Sequence, residues 1–279
     1  MALFKDKSMN SSKLIVSFSI IIQFLFIHNS SAQYNYTTAG ARSSGMANTS
    51  VTLTDFWSVY NNQAGLGYLQ QITVGAFHRS GLISEQNSQG IGIAIPTKTG
   101  TIAATFDYYG FSAYNEMQAG LAFGRTFTEY FSAGIKLNYL HTQIAGEYGT
   151  ADAVTFEVGI LSQPIENFFV GASVYNPSRS KMGNEPIPTI YKVGIGYLFS
   201  EKALLAIETE KDIDQSAIFK AGIDYQLIDL VSIQAGISTN PSNYSFGIGI
   251  HYSDINLHIG FLKHQTLGFT PSFSLSYGF

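Results

Sequence analysis

The last eight residues read SFSLSYGF, Ser272 to Phe279. Phe273, Leu275, Tyr277 and Phe279 take every second position, and Ser272, Ser274, Ser276 and Gly278 stand between them. Successive side chains of a strand point to opposite faces, so this spacing makes one face wholly apolar and the other small and polar. A terminal segment frays unless packing offsets the entropy of ordering it. A strand of this pattern suits a wall that has lipid on one side and a crowded or wet interior on the other.

The same period recurs upstream. In YFSAGIKLNYL (130–140), Phe131, Ala133, Ile135, Leu137 and Tyr139 alternate with Ser132, Gly134, Lys136 and Asn138. YKVGIGYLF (191–199), AIFKAGIDYQ (217–226) and YSFGIGIHY (244–252) repeat it, while stretches of helical period are missing from Gln71 onward. With no helices to cover them, these apolar faces would aggregate in water, and lipid is the alternative. Composition agrees: 45% of the 279 residues are hydrophobic and 12% charged, about half the charged share usual in soluble domains.

Turn signals divide the alternating region into about fourteen strands, at roughly 70–79, 88–97, 100–110, 115–127, 130–143, 152–162, 166–176, 188–199, 202–211, 215–226, 231–239, 243–252, 255–263 and 267–279. Connections after odd strands are longer and polar, the longest being NPSRSKMGNEPIPT (176–189); those after even strands are tight, such as TKTG, TE and SE. Alternating long and short turns around an even strand count predict a closed antiparallel transmembrane β-barrel over residues 70–279, with the short turns facing the periplasm. Tyr139, Tyr175, Tyr197, Tyr225, Tyr252 and Tyr277 fall near strand ends, where interfacial aromatic girdles are expected.

The N-terminus fits export. Lys5, Lys7 and Lys13 precede the apolar run LIVSFSIIIQFLFI (14–27), and Ser30 and Ala32 hold the small-residue positions of a cleavage site. Residues 1–32 read as a signal peptide, because a run of about fourteen residues is short for a bilayer span of about twenty. Its removal takes three Lys and one Asp from a chain of net charge −4 and leaves about −6. The absence of a basic block argues against nucleic-acid partners. Cysteine is absent, which excludes disulfides and thiolate metal sites.

Residues 33–69 do not alternate. They are small, polar and Gly-rich around the lone Trp57, and read as a hatch folded into the barrel, with Asp55 to Leu66 as a short helix or turn lining the lumen. Trp57, Tyr60, Asn61, Asn62, Gln63 and Leu66 are its candidate functional residues. The register points Lys136, Lys192, Glu208, Lys220, Asp224, His251 and His258 into the lumen, together with Asp107. As a functional reading these side chains set the charge of a passage; as a structural one they bind one another, the hatch and trapped water. His251 and His258 face inward on neighbouring strands; diagonal spacing allows metal ligation, but hydrogen-bonded lumen histidines are the simpler reading. Gly194/Gly196 and Gly247/Gly249 follow strand alternation, with no helix to receive a phosphate, and read as inward glycines beside bulky contents. With no Gly-x-Ser-x-Gly, no His-Glu-x-x-His and no close carboxylate–His pair in the sequence, neither catalysis nor a cofactor is expected.

The stretch GARSSGMANTSVTLTDFWSVYNNQAGL (40–66) resembles the N-terminal hatch of FadL-type outer-membrane proteins and the related PorV family. Tyr60, Asn61, Ala64, Gly65 and Leu66 match the family's Asn-Pro-Ala-Gly-Leu element, with Asn62 and Gln63 where the family has a single Pro. The resemblance extends to 219–250 and 264–279, about half the mature chain. It implies a fourteen-strand outer-membrane barrel with an inward hatch. FadL-type members take up fatty acids and other apolar compounds; PorV-type members bind exported cargo or secretion subunits in type IX secretion. Passage or binding of small hydrophobic compounds is the expected function, with the secretion role as the alternative. The implied partners are outer-membrane lipid, a hydrophobic ligand or secreted cargo, and the barrel-assembly machinery, reached through the terminal strand ending at Phe279.

Overall fold

The computed structural model describes residues 38–146, 149–264 and 268–279. The expected signal peptide and Gln33 to Thr37 lie outside them. The described chain begins with a helix α1 (Ala41–Gly45), a helix α2 (Ser58–Asn61) and a 3₁₀ turn (Gln63–Tyr68). Strands then follow: β1 (Thr73–Arg79), β2 (Ser88–Thr97), β3 (Gly100–Phe111), β4 (Tyr114–Thr128), β5 (Phe131–Ile144), β6 (Gly149–Ile165), β7 (Phe168–Tyr175), β8 (Lys181–Met182), β9 (Glu185–Pro186), β10 (Ile190–Ser200), β11 (Ala203–Asp212), β12 (Ile218–Ile228), β13 (Val231–Ser238), β14 (Asn243–Tyr252), β15 (Ile255–His264) and β16 (Gly268–Gly278). Strands β8 and β9 form a small separate hairpin inside the longest connection.

The other fourteen strands form one closed antiparallel barrel in which each pairs with its sequence neighbours. Strand β16 closes it against β1, pairing Val74 with Tyr277, Ala76 with Leu275 and His78 with Phe273. Closure leaves no strand edge unpaired, which is what lets a sheet stand in hydrocarbon. Among the described residues no helix is long and apolar enough to cross a membrane.

The alternation sorts the two faces as the sequence reading expects. Along β5, Ile135, Leu137 and Tyr139 are exposed while Gly134, Lys136, Asn138 and Leu140 are buried. Along β16, Phe273, Leu275 and Tyr277 are exposed while Ser272, Ser274 and Ser276 are buried. The apolar exterior and polar interior are the inverse of a soluble protein and define a transmembrane barrel.

Tyr175 departs from the expected girdle. It is buried inside, packed with Leu140, Ile187 and Ile190, whereas Tyr139, Tyr197, Tyr225, Tyr252 and Tyr277 are exposed. The cause is parity: Tyr175 lies four residues from the buried Gly171 on β7, and even spacing returns a side chain to the same face. The long connection folds back over this position. Asn176, fully buried, donates to the carbonyls of Ile187 and Ser180 at 2.9 and 3.4 Å, and Ile187 and Met182 pack onto the cluster below.

Leu137 sits mid-strand on β5, opposite Leu121 and Phe156, and is about half exposed. Leu137→Arg should lower stability by ~2–4 kcal/mol, the cost of a cation at the bilayer midplane, in urea unfolding from lipid vesicles. A change under about 0.5 kcal/mol, typical of a water-exposed position, would contradict the lipid-facing assignment.

Candidate functional site

The barrel interior is filled by the chain's own residues 38–69. From Thr38 to Leu66 every residue is buried except Arg42, Asn48, Thr54 and Asp55. Glycines on the inner wall make room for this segment. A Cβ at Gly171 would stand 2.5 Å from the Val51 carbonyl oxygen, and one at Gly222 would stand 2.6 Å from Met46 Cβ. Gly194 and Gly196 likewise lie against Val51 and Thr52, which is the non-nucleotide reading of that pair. Gly40 opens α1 at φ 91°, and a Cβ there would also run into the Trp57 indole.

Polar side chains of the wall dock the inward segment through its backbone. The fully buried Glu208 carboxylate accepts hydrogen bonds from the amides of Ser50 and Val51 at 2.7 and 2.8 Å. Lys220 pairs with Glu208 at 3.0 Å and Glu210 at 2.7 Å, and donates to the Asn48 carbonyl. Lys192 stands 3.6 Å from Glu210. Buried charges are costly unless paired and hydrogen-bonded, so this cluster holds the segment in one position. Ser245 donates to the Gly45 carbonyl and accepts from the Ala47 amide, and Ser274 accepts from Ala41.

A second cluster lies on β4 to β6. Gln63 donates to Glu157 at 3.0 Å, Asn138 donates to the same carboxylate at 2.7 Å, and Lys136 lies 3.7 Å from it and 4.6 Å over the Tyr60 ring. Asn62 caps the 3₁₀ turn with its side chain by accepting from the Ala64 amide, and donates to the Val51 and Ile160 carbonyls. Asn61 is bonded in both directions to the Ala39 backbone.

Trp57, Tyr60 and Leu66 belong to an apolar cluster with Phe56 and Val59. The Trp57 ring lies 5.1 Å from Phe56 and 5.9 Å from Phe77, both edge-on, and 6.3 Å from Tyr60, stacked. The Tyr60 hydroxyl donates to the Ile91 carbonyl on β2.

Toward the short-turn end the interior opens into a chamber of about 560 Å³. Its walls include Phe56, Trp57, Leu204, Asp224, His251 and His258, and it reaches the exposed residues Glu201 and Lys202 of the β10–β11 turn. Arg42 bridges Asp55 at 3.0 Å and Asp224 at 2.7 Å. Burial works against the guanidinium charge, but Asp224 and Asp55 outweigh it and hold the Arg42 pKa above its ordinary value. The His251 and His258 rings meet edge-on at 5.1 Å. His251 is bonded to Ser232 and Asn256. Among the described residues no group of three or more His, Cys, Asp or Glu side chains is placed to hold a metal.

Several of these groups are not among the candidate site residues of the sequence reading: Arg42, Asp55, Arg79, Asn138 and Glu157. Arg79 donates to the Thr38 carbonyl, Ser44 and Asn48. Glu157 could have been found, since it alternates with outward apolar residues in VTFEVGI (154–160) as Lys136 does on β5. A carboxylate–His pair also exists, contrary to expectation. Asp152 accepts from the Tyr139 hydroxyl at 2.6 Å and lies 2.7 Å from His141 Nδ1, across the β5–β6 pairing and on the outer face. The two residues are eleven apart in the chain and only strand register brings them together.

No family model matches the sequence, and no curated protein sequence matches it. Solved structures do match in fold. The CymD monoaromatic hydrocarbon channel superposes with a TM-score of 0.69 at 12% identity, covering 88% of this chain and 99% of that one. The Ralstonia pickettii toluene transporter TbuX gives 0.68 at 10%, with 88% and 99% covered, and a Pseudomonas aeruginosa FadL homologue gives 0.63 at 11%, with 89% and 100% covered. The chain therefore has the FadL-type fold.

Glu208→Ala should strip the Ser50 and Val51 amides of their acceptor and leave Lys220 with one carboxylate, at a cost of about 3 kcal/mol. Hydrogen exchange at those two amides should speed by about tenfold or more. Unchanged exchange in a folded variant would show that the carboxylate does not hold the segment.

Proposed function

We propose that the chain is an outer-membrane channel for small hydrophobic compounds, with residues 33–69 as its hatch. The observation that carries this reading is a lumen filled by the chain itself around an aromatic cluster of Phe56, Trp57, Tyr60 and Phe77, rather than a broad aqueous pore. A water-filled channel passes polar solutes freely; a plugged one with apolar contents selects compounds that can leave water. The fold shared with hydrocarbon and toluene transporters supports the same reading.

In this account a hydrophobic solute partitions into the barrel and reaches the chamber at the short-turn end as the hatch shifts. The wall residues Glu208, Lys220 and Glu157 hold the hatch and do not touch the solute, so the roles divide into anchoring (Lys136, Lys192, Glu208, Lys220) and lining (Trp57, Asp224, His258). The outer membrane supplies the lipid, and the terminal strand ending at Phe279 serves as the address for the assembly machinery. The protein acts by passage and not by catalysis. A role in protein secretion draws no support from the structural relatives.

Proteoliposomes carrying the full chain should take up labelled toluene faster than empty vesicles while staying tight to glucose. Deleting Thr54 to Leu66 should make the inserted barrel leak glucose or change toluene uptake. Unchanged permeability to both solutes in a folded, inserted deletion variant would defeat the hatch assignment, and toluene uptake no faster than in empty vesicles would defeat the channel itself.

A further inference from the structure

Among the described residues the buried apolar side chains inside the barrel form three clusters. Two of them contain residues of the inward segment, Phe56, Trp57 and Leu66 in one and Met46 and Leu53 in the other. The third, at the long-turn end, contains none. There Leu140 of β5, Tyr175 of β7 and Ile190 of β10 are buried beneath Ile187 and Met182 of the 176–189 connection. Ser88, Glu116, Thr142 and Ser272, inward at the same end, are buried too, whereas the short-turn end opens into the chamber.

The fastening of this connection differs from that of the hatch. Buried carboxylate, ammonium and guanidinium groups tie the inward segment to the wall. Residues 178–188, among the described residues, make no hydrogen bond or ion pair beyond Asn176 at their own base. The Ile187 amide donates to the Ser180 carbonyl, β8 pairs with β9, and Asn176 donates to the Ile187 carbonyl at 2.9 Å and accepts from the Ser180 amide. The ends of the unit are fixed to the barrel: the Asn176 amide donates to the Phe156 carbonyl and the Thr189 carbonyl accepts from the Ile213 amide. Between those points the hairpin can swing without breaking a polar bond to the wall, and the apolar contacts of Ile187 and Met182 hold it down. A hydrophobic solute can replace such contacts, since it gives Leu140, Tyr175 and Ile190 an equivalent neighbour. We propose that the 176–189 connection is a lid over an apolar entry patch of Leu140, Tyr175 and Ile190, and that a small hydrophobic solute is admitted by displacing Ile187 and Met182. The inference rests on the channel reading and adds the step at which solute enters.

The chain has no cysteine, so Ala153→Cys on β6 with Met182→Cys on β8 gives the full chain a single thiol pair across the lid. Both positions pack on the cluster and both are partly exposed. A bis-maleimide spacer with an internal disulfide joins the pair in proteoliposomes, and mass spectrometry gives the linked fraction. Uptake of labelled toluene should fall to the level of empty vesicles when the pair is linked and return when the spacer is reduced, in one and the same folded protein. Ile187→Ser should raise uptake about tenfold, the population shift from weakening one buried aliphatic contact, while the vesicles stay tight to glucose because the hatch is still in place. Uptake that persists under complete linking, or that is no faster in Ile187→Ser, would overturn the lid. A glucose leak in Ile187→Ser would overturn it as well, by showing that the connection holds the hatch instead. If Ile187→Ser fails to fold, the linked pair still decides. Uptake by the unlinked chain no faster than in empty vesicles would bring down the channel reading and the lid with it, an outcome distinct from uptake that survives the link.

Discussion

A polypeptide in hydrocarbon must pair every backbone N–H and C=O within itself, and the rest of this structure follows from that requirement. Strands meet it only by closing, so β16 must find β1, and the Phe273 to Tyr277 alternation must hold to the end of the chain. Closure in turn encloses a lumen that fourteen strands make too wide for wall side chains alone. The inward segment answers the second problem, and the glycines of the wall are where its backbone comes close. The lipid-facing side needs only bulk and greasiness, which is why it reads as Ile, Leu, Phe and Tyr.

The docking of the inward segment departs from the economy of a soluble core. Beside its apolar packing, Glu208, Lys220, Arg79 and several serines reach from the wall to its backbone groups, and Glu157 accepts from the Gln63 side chain. Such groups are costly to bury and still more costly to leave unpaired, so they reward one placement of the segment and penalise others. Any movement that opens a path has to leave these bonds intact or exchange them. Arg42 and His258 line the chamber, and Glu208, Lys220 and Lys192 do not.

Barrel topology was legible because period two with alternating turn lengths has one good physical solution. All fourteen barrel strands fall within a few residues of the sequence reading, and the inward positions of Lys136, Lys192, Glu208 and Lys220 follow from register. Tyr175 was assigned by nearness to a strand end when parity with Gly171 decided it. Helix α1 and the β8–β9 hairpin carry too few residues to show a period. Partnerships were beyond reach: Arg42 meets Asp224 across 182 positions, and Ser50 meets Glu208 across 158, distances at which only the closed wall specifies contact.

The central claim is that alternate side chains of each strand face lipid and the filled lumen. The chain has no cysteine, so single cysteines placed in turn at 272 to 277 on β16 can each carry an environment-sensitive fluorophore in vesicles. Positions 273, 275 and 277 should report an apolar setting and be quenched by bromine-labelled acyl chains, while 272, 274 and 276 should be shielded from that quencher. Uniform quenching along the strand, or none at any position, would contradict the account.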